Sequence, residues 1–277
     1  MKPLASIAGT ALLLAVAGCK PAMENAAHVE TKPGQAAGRQ EAAVAQQQHR
    51  AKPPLPGSQP VPRAWGKPVL VETFDGNRVD PLKWVVYDSP AGDNPRTRRA
   101  TRVSDGLLRL TGAEYGGRVL SGGIASHASF TYGRFEVRMR ADRGAGFAPV
   151  LLLWPTIQGQ PEWAEINFAE IPDPTRLSTG LFVHKGNPEK VASRLLYRDF
   201  TEWHTFGLEW LPTRMSFYID GHRVWNYTGP LIPQKADMHL ALQNDVVCYS
   251  RVQCRSASTP DRVTMYVDWV RAWRVPV

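Results

Sequence analysis

The chain has 277 residues, with 33 basic against 25 acidic, for a formal charge of +8. That charge is spread along the chain, with no zinc-type ligand spacing, no phosphate-binding glycine loop and no G-x-S-x-G elbow, so nucleic-acid, nucleotide and serine-hydrolase chemistry have no motif to rest on. Residues 65–277 hold all nine tryptophans and carry 26 basic against 22 acidic residues, a size and balance that suit one large domain with a real core.

At the N-terminus, Lys2 precedes an apolar run from Leu4 to Val16 that is too short to span a bilayer and reads as a signal-peptide core. The closing Val16-Ala17-Gly18-Cys19 resembles a bacterial lipobox, which implies that residues 1–19 are a signal, that Cys19 is lipidated, and that the protein sits in the cell envelope. Lys20 stands where an inner-membrane retention signal has Asp, so in a host with two membranes the outer membrane is the expected destination, facing the periplasm or the exterior. Residues 20–64 are rich in Ala, Gln and Pro and lack apolar periodicity. Such a stretch cannot offset its own ordering entropy and reads as a tether, with an end-to-end distance on the order of 40 Å.

From Trp65 onward, short alternating runs predict an all-β sandwich or barrel. Strand candidates are 68–74, 107–111, 133–140, 150–154, 179–184, 204–210, 214–219, 224–227, 238–243 and 263–273. In 133–140 the alternation turns Phe135, Val137 and Met139 inward; in 214–219 it turns Met215, Phe217 and Ile219 inward. Asp220-Gly221 is a two-residue hairpin signal. No window of ten or more residues has a helical period.

The segment Trp163-Ala164-Glu165-Ile166-Asn167-Phe168-Ala169-Glu170 carries the chemistry. Glu165 and Asn167 share a strand face, whereas Glu170 has the wrong parity unless a β-bulge at Phe168 or Ala169 loops out one residue. With the bulge, both carboxyls enter one cleft, as retaining glycoside hydrolases require at a separation of roughly 5–5.5 Å. Without it, they are two glutamates of a solvated strand. Arg96, Arg98, Arg99 and Arg102 form the single basic cluster, either a solvated loop or a contact for an acidic polysaccharide or lipid head groups. With Cys19 lipidated, Cys248 and Cys254 remain as an even pair. They either bridge across a surface loop, contributing roughly 2 kcal/mol, or stand as two free thiols.

Several pieces, weak singly, are specific in their order: Phe74-Asp75-Gly76 with Leu82-Lys83-Trp84, Ser121-Gly122-Gly123-Ile124, Tyr132 to Arg138, Trp203 to Phe206 with Glu209-Trp210, Phe217 to Gly221, and Val267 to Arg271. In these the domain resembles glycoside hydrolase family 16, the laminarinase and lichenase family with a β-jelly-roll fold, from about Val69 to Trp273. The family signature is Glu-Ile-Asp followed by one or two residues and Glu; this chain is similar to the longer, bulged version, with Asn167 where Asp is usual. The resemblance implies that Glu165 is the nucleophile and Glu170 the acid/base. It implies platform roles for Trp163 and Trp154, a position near the acid/base for His184, and an altered subsite where Leu152 aligns with the usual platform tryptophan. Asp268 matches a residue that helps hold a structural calcium in some members; no other cofactor is expected.

The leading expectation is a monomeric retaining endo-β-glycanase acting on an envelope or extracellular polysaccharide, β-1,3-glucan by default. It would touch the membrane only through its N-terminal lipid. A lectin-like binding module and a glycan-remodelling transglycosylase are the competing readings.

Overall fold

A computed structural model describes residues 65–156, 162–186, 188–249 and 252–276; the signal, Cys19 and the tether lie outside them. Sixteen strands occur among the described residues: β1 (Leu70–Glu72), β2 (Trp84–Val86), β3 (Thr101–Ser104), β4 (Leu107–Tyr115), β5 (Arg118–Leu120), β6 (Gly123–Phe130), β7 (Gly133–Ala141), β8 (Phe147–Pro155), β9 (Ala164–Glu170), β10 (Ser178–Lys185), β11 (Lys190–Tyr197), β12 (His204–Leu211), β13 (Arg214–Ile219), β14 (His222–Tyr227), β15 (Met238–Val246) and β16 (Arg262–Trp273). One sheet runs β14-β13-β12-β7-β16-β4-β3, with β1 on β16 and β5 on β4; the other runs β11-β10-β9-β8-β15-β6-β2. All the strand pairings are antiparallel, so the fold is the expected jelly-roll sandwich.

The alternation read in sequence is what closes the sandwich. Phe135, Val137 and Met139 of β7 and Met215, Phe217 and Ile219 of β13 are buried between the sheets, facing Leu151 and Leu153 of β8, Ile166 of β9 and Leu181 and Val183 of β10. Asp220 and Gly221 both have positive φ, 52° and 78°, as a tight turn between twisted strands requires. Trp225 on the return strand stacks on Phe217 at 4.8 Å between ring centroids.

The central strands of the second sheet are buried on both faces. Across the sheet from the main core, Ala125, Ala148, Val150, Leu152 and Ala241 form a second apolar cluster, with Tyr87, Trp154 and Val252 packed against it. β8 accordingly has no alternation; it reads Phe-Ala-Pro-Val-Leu-Leu-Leu-Trp-Pro.

Candidate active site

β9 lies between β8 and β10, and its register contains the extra residue. From Asn167 to Glu170 it advances three positions while its partners advance two, Phe182 to Gly180 on β10 and Leu152 to Val150 on β8. Phe168 and Ala169 both turn into the main core, and Glu165, Asn167 and Glu170 share the opposite face. The hydroxyl of Thr179, fully buried, serves the backbone at this irregularity: it accepts from Glu170 N at 3.1 Å and donates to Glu170 O at 3.2 Å. Opposite Glu170 stands Gly180, where an added Cβ would lie 2.2 Å from the Phe182 ring, so only glycine admits that ring.

Asn167 is the link between the two carboxyls. Its Nδ2 donates to Glu170 Oε2 at 3.0 Å, and its side chain also favours the charged form of Glu165. Burial pushes Glu165 up to about 8, opposed by Asn167 and reinforced by the charges of Glu170, Glu189 and Asp245. Burial pushes Glu170 up to about 7, again opposed by Asn167 and reinforced by Asp245. A double displacement uses the form in which Glu165 is the carboxylate and Glu170 holds the proton. The Asn167 Oδ1 is buried with no hydrogen-bond partner, and a protonated carboxyl beside it is a donor it can take.

Other side chains frame this pair. Trp154 and Trp163 meet edge to face, 6.4 Å between centroids, and both are partly exposed near the Glu165 end of β9. His184 stands opposite Glu165 in the β9–β10 register; the resemblance had placed it near the acid/base, but Gly180 is what faces Glu170. At the other end, Arg96 pairs with Asp245 of β15 and lies 5.2 Å from the centroid of the Tyr87 ring. The basic cluster expected from sequence is thereby split: Arg96 turns into the cleft, Arg98 bonds Asp88, and Arg99 lies over Tyr115. A short 3-10 turn over Arg98–Ala100, capped by Thr97, divides them. Cys248 and Cys254 are joined in a disulfide, and Tyr249 beside it has its phenol pushed up to about 12, by burial first and then by Glu170 and Asp245.

The profile of Glycosyl hydrolases family 16 matches residues 94–270. The chain belongs to this family. Among curated relatives it is similar to a beta-glucanase of Acetivibrio thermocellus, 30% identical over 143 residues, covering 50% of this chain and 43% of the relative. It also resembles a beta-glucanase of Bacillus amyloliquefaciens, 29% identical over 146 residues, covering 50% of this chain and 59% of that one. The chain thus spans about half the length of the curated relatives it matches. Among solved structures, an endo-beta-1,3-glucanase from Pyrococcus furiosus superposes with a TM-score of 0.66 at 19% identity, over 75% of this chain and 94% of that one. A laminarinase catalytic domain from Thermotoga petrophila gives 0.63 at 20% identity, over 76% and 98%. At such identities the likeness bears on the fold.

One feature implied by some members of family 16 does not fit this chain. Asp268 accepts a hydrogen bond from Arg138 Nη1 at 2.6 Å, and a guanidinium beside a carboxylate opposes a second cation there. Among the described residues no group of three or more His, Cys, Asp and Glu is arranged to hold a metal ion.

Sequence reasoning missed Glu189, Asp245 and Tyr87 as cleft residues. Only Asp245 carried a readable signal: the alternation His239, Ala241, Gln243, Asp245 runs past Gln243, where the expected strand stopped.

Proposed function

We propose that this protein is a retaining endo-β-glycanase that hydrolyses the O-glycosidic bonds of a neutral polysaccharide, with β-1,3-glucan the default substrate. The observation that carries the reading is the bulge at Phe168, which sets Glu165, Asn167 and Glu170 on one enclosed face. A regular strand would have sent Glu170 into the core. Glu165 attacks the anomeric carbon and forms a glycosyl ester while Glu170 gives its proton to the leaving oxygen. Glu170, now a carboxylate, takes a proton from water, and that water releases the sugar with its original configuration. Asn167 supports each carboxyl when it is charged.

The charge of the cleft supports an uncharged glycan. Glu165, Glu170, Glu189 and Asp245 are acidic; Arg96 is engaged by Asp245, and Lys185 lies 2.6 Å from Glu162. A uronate or sulfate would meet these carboxylates, and Arg96 is already engaged by one of them. Trp154 and Trp163 offer faces for the apolar side of a sugar ring.

Laminarin digestion tests the reading: Glu165→Gln and Glu170→Gln should each lower kcat/KM by orders of magnitude with unchanged thermal melting at pH 4, and NMR of fresh product should show the β anomer first. An α anomer, or an active Glu165→Gln, overturns it. We further propose that the domain is anchored through lipid on Cys19. Its support is the Val16–Cys19 sequence, and fatty-acid labelling of the full chain, abolished by Cys19→Ala, is the test.

A further inference from the structure

The turn between β10 and β11 brings a third carboxyl to the Glu165 end of the cleft. Glu189 Oε1 lies 3.0 Å from His184 Nδ1, and His184 is buried opposite Glu165. An ionised carboxylate has no hydrogen to give, so Nδ1 must carry the hydrogen and donate it. Burial holds the imidazole below its usual range against the opposing pull of Glu189, so the ring is neutral at neutral pH. Its second nitrogen, Nε2, is then a lone-pair acceptor, the reverse of the Nε2-protonated form that an unconstrained histidine favours.

We propose that Glu189 is a positioning residue: it fixes His184 in the Nδ1-protonated tautomer, so that Nε2 accepts a hydroxyl hydrogen from the sugar bound beside Glu165, and it sets a negative charge against that nucleophile. The inference rests on Glu165 being the nucleophile. It also narrows the substrate. A sugar O-methylated or sulfated at the hydroxyl that faces His184 has no hydrogen to donate there and is refused.

The groups acting on Glu165 come from two strands and one turn. Glu170 and Asn167 lie on β9 itself, Asp245 comes from β15, and Glu189 comes from the turn; the three carboxylates resist its ionisation and Asn167 favours it. His184 packs against the Phe182 ring at 5.6 Å, and the next residue, Lys185, is neutralised by Glu162. Glu189 is therefore the one charge on Glu165 that can be removed without touching β9 or the Arg96–Asp245 pair.

The test uses the full chain with Glu189→Gln, Glu189→Ala and Glu165→Gln. Isotope-labelled histidine NMR reads the His184 tautomer, and kcat and KM on laminarin are followed against pH. Wild type should show the Nδ1–H form. Glu189→Gln keeps an accepting amide oxygen, so the tautomer and KM should hold. Losing the charge makes Glu165 easier to ionise, so the acid limb of the profile should move down by about half to one pH unit. Glu189→Ala should release the tautomer, raise KM by about tenfold and shift the same limb. An Nε2–H ring in wild type, or an alanine variant with unchanged tautomer, KM and acid limb, overturns the proposal and leaves Glu189 as a clip on the turn. Activity in Glu165→Gln would overturn the nucleophile assignment instead, and the NMR result would still decide whether Glu189 sets the tautomer.

Discussion

Replacing Asn167 by Asp probes the cleft at its centre. The amide donates to Glu170 at 3.0 Å, and it favours the charged form of both carboxyls. A hydrogen bond to a charged group contributes about 1.5–3 kcal/mol, which corresponds to about 1–2 pKa units. Asn167→Ala should lift the acid/base, now near 7, by that amount. Asn167→Asp removes the same donor and adds a negative charge within the cleft, so its effect should be larger still. Glu170 must hold its proton for the first step, and the alkaline limb of kcat/KM therefore moves to higher pH in both variants, further in Asp. Glu165 rises too, so the acid limb follows and activity at neutral pH falls. The assay is laminarin hydrolysis at substrate concentrations below KM across the pH range, with melting curves to show that each variant is folded. An alkaline limb that stays put or falls refutes the reasoning. Equal shifts in Ala and Asp would show that the added charge is not felt.

Three further outcomes follow from buried groups. Glu165 is raised from an ordinary carboxyl to about 8, so the wild type gives up stability as pH climbs from that ordinary range through 8, whereas Glu165→Gln does not; the variant's melting advantage should be small at pH 4 and several degrees at pH 9, and a constant difference would contradict the burial argument. Thr179→Val removes the hydroxyl that serves both backbone groups of Glu170 and should destabilise the domain by about 1–3 kcal/mol with a fall in kcat, read by denaturant melts and kinetics. Arg176 is fully buried and donates to the carbonyls of Asp142, Gly144, Ile171 and Asp173. Arg176→Leu should lower stability by about 3–5 kcal/mol because those oxygens lose their donors, and a melt within about 2 °C of wild type would contradict it.

Among the strands legible in sequence, β7, β13 and the Asp220-Gly221 hairpin announce themselves by period-2 alternation, and β8, buried on both faces, was legible too, whereas the eight-residue β6 was missed. β11 was missed because it is an edge strand whose residues, Val191, Leu195 and Tyr197 among them, are largely exposed and follow no inward pattern. β2, β3 and β5 are three or four residues long, too short for a period to register. At the site, the bulge could be located because parity failed between two carboxyls on one strand. Glu189, Tyr87 and Asp245 could not be grouped with them, since they come from a turn, the residue just past β2, and β15, far apart in the chain, and only the register of the sheet makes them neighbours.

The double burial of β8 has a consequence for how the chain reaches this state. From Phe147 to Pro155 there is no charge, and both of its faces end against apolar side chains. Until β9 and β15 have closed on either side, this is an uncharged strand rich in leucine with open edges, the kind of segment that pairs with its own copy in another molecule. Its two prolines, Pro149 and Pro155, withhold backbone donors from such a pairing and act as gatekeepers. Chaperone demand during synthesis, and aggregation on refolding from denaturant, should accordingly centre on this strand, and its safety depends on how quickly its two neighbours arrive.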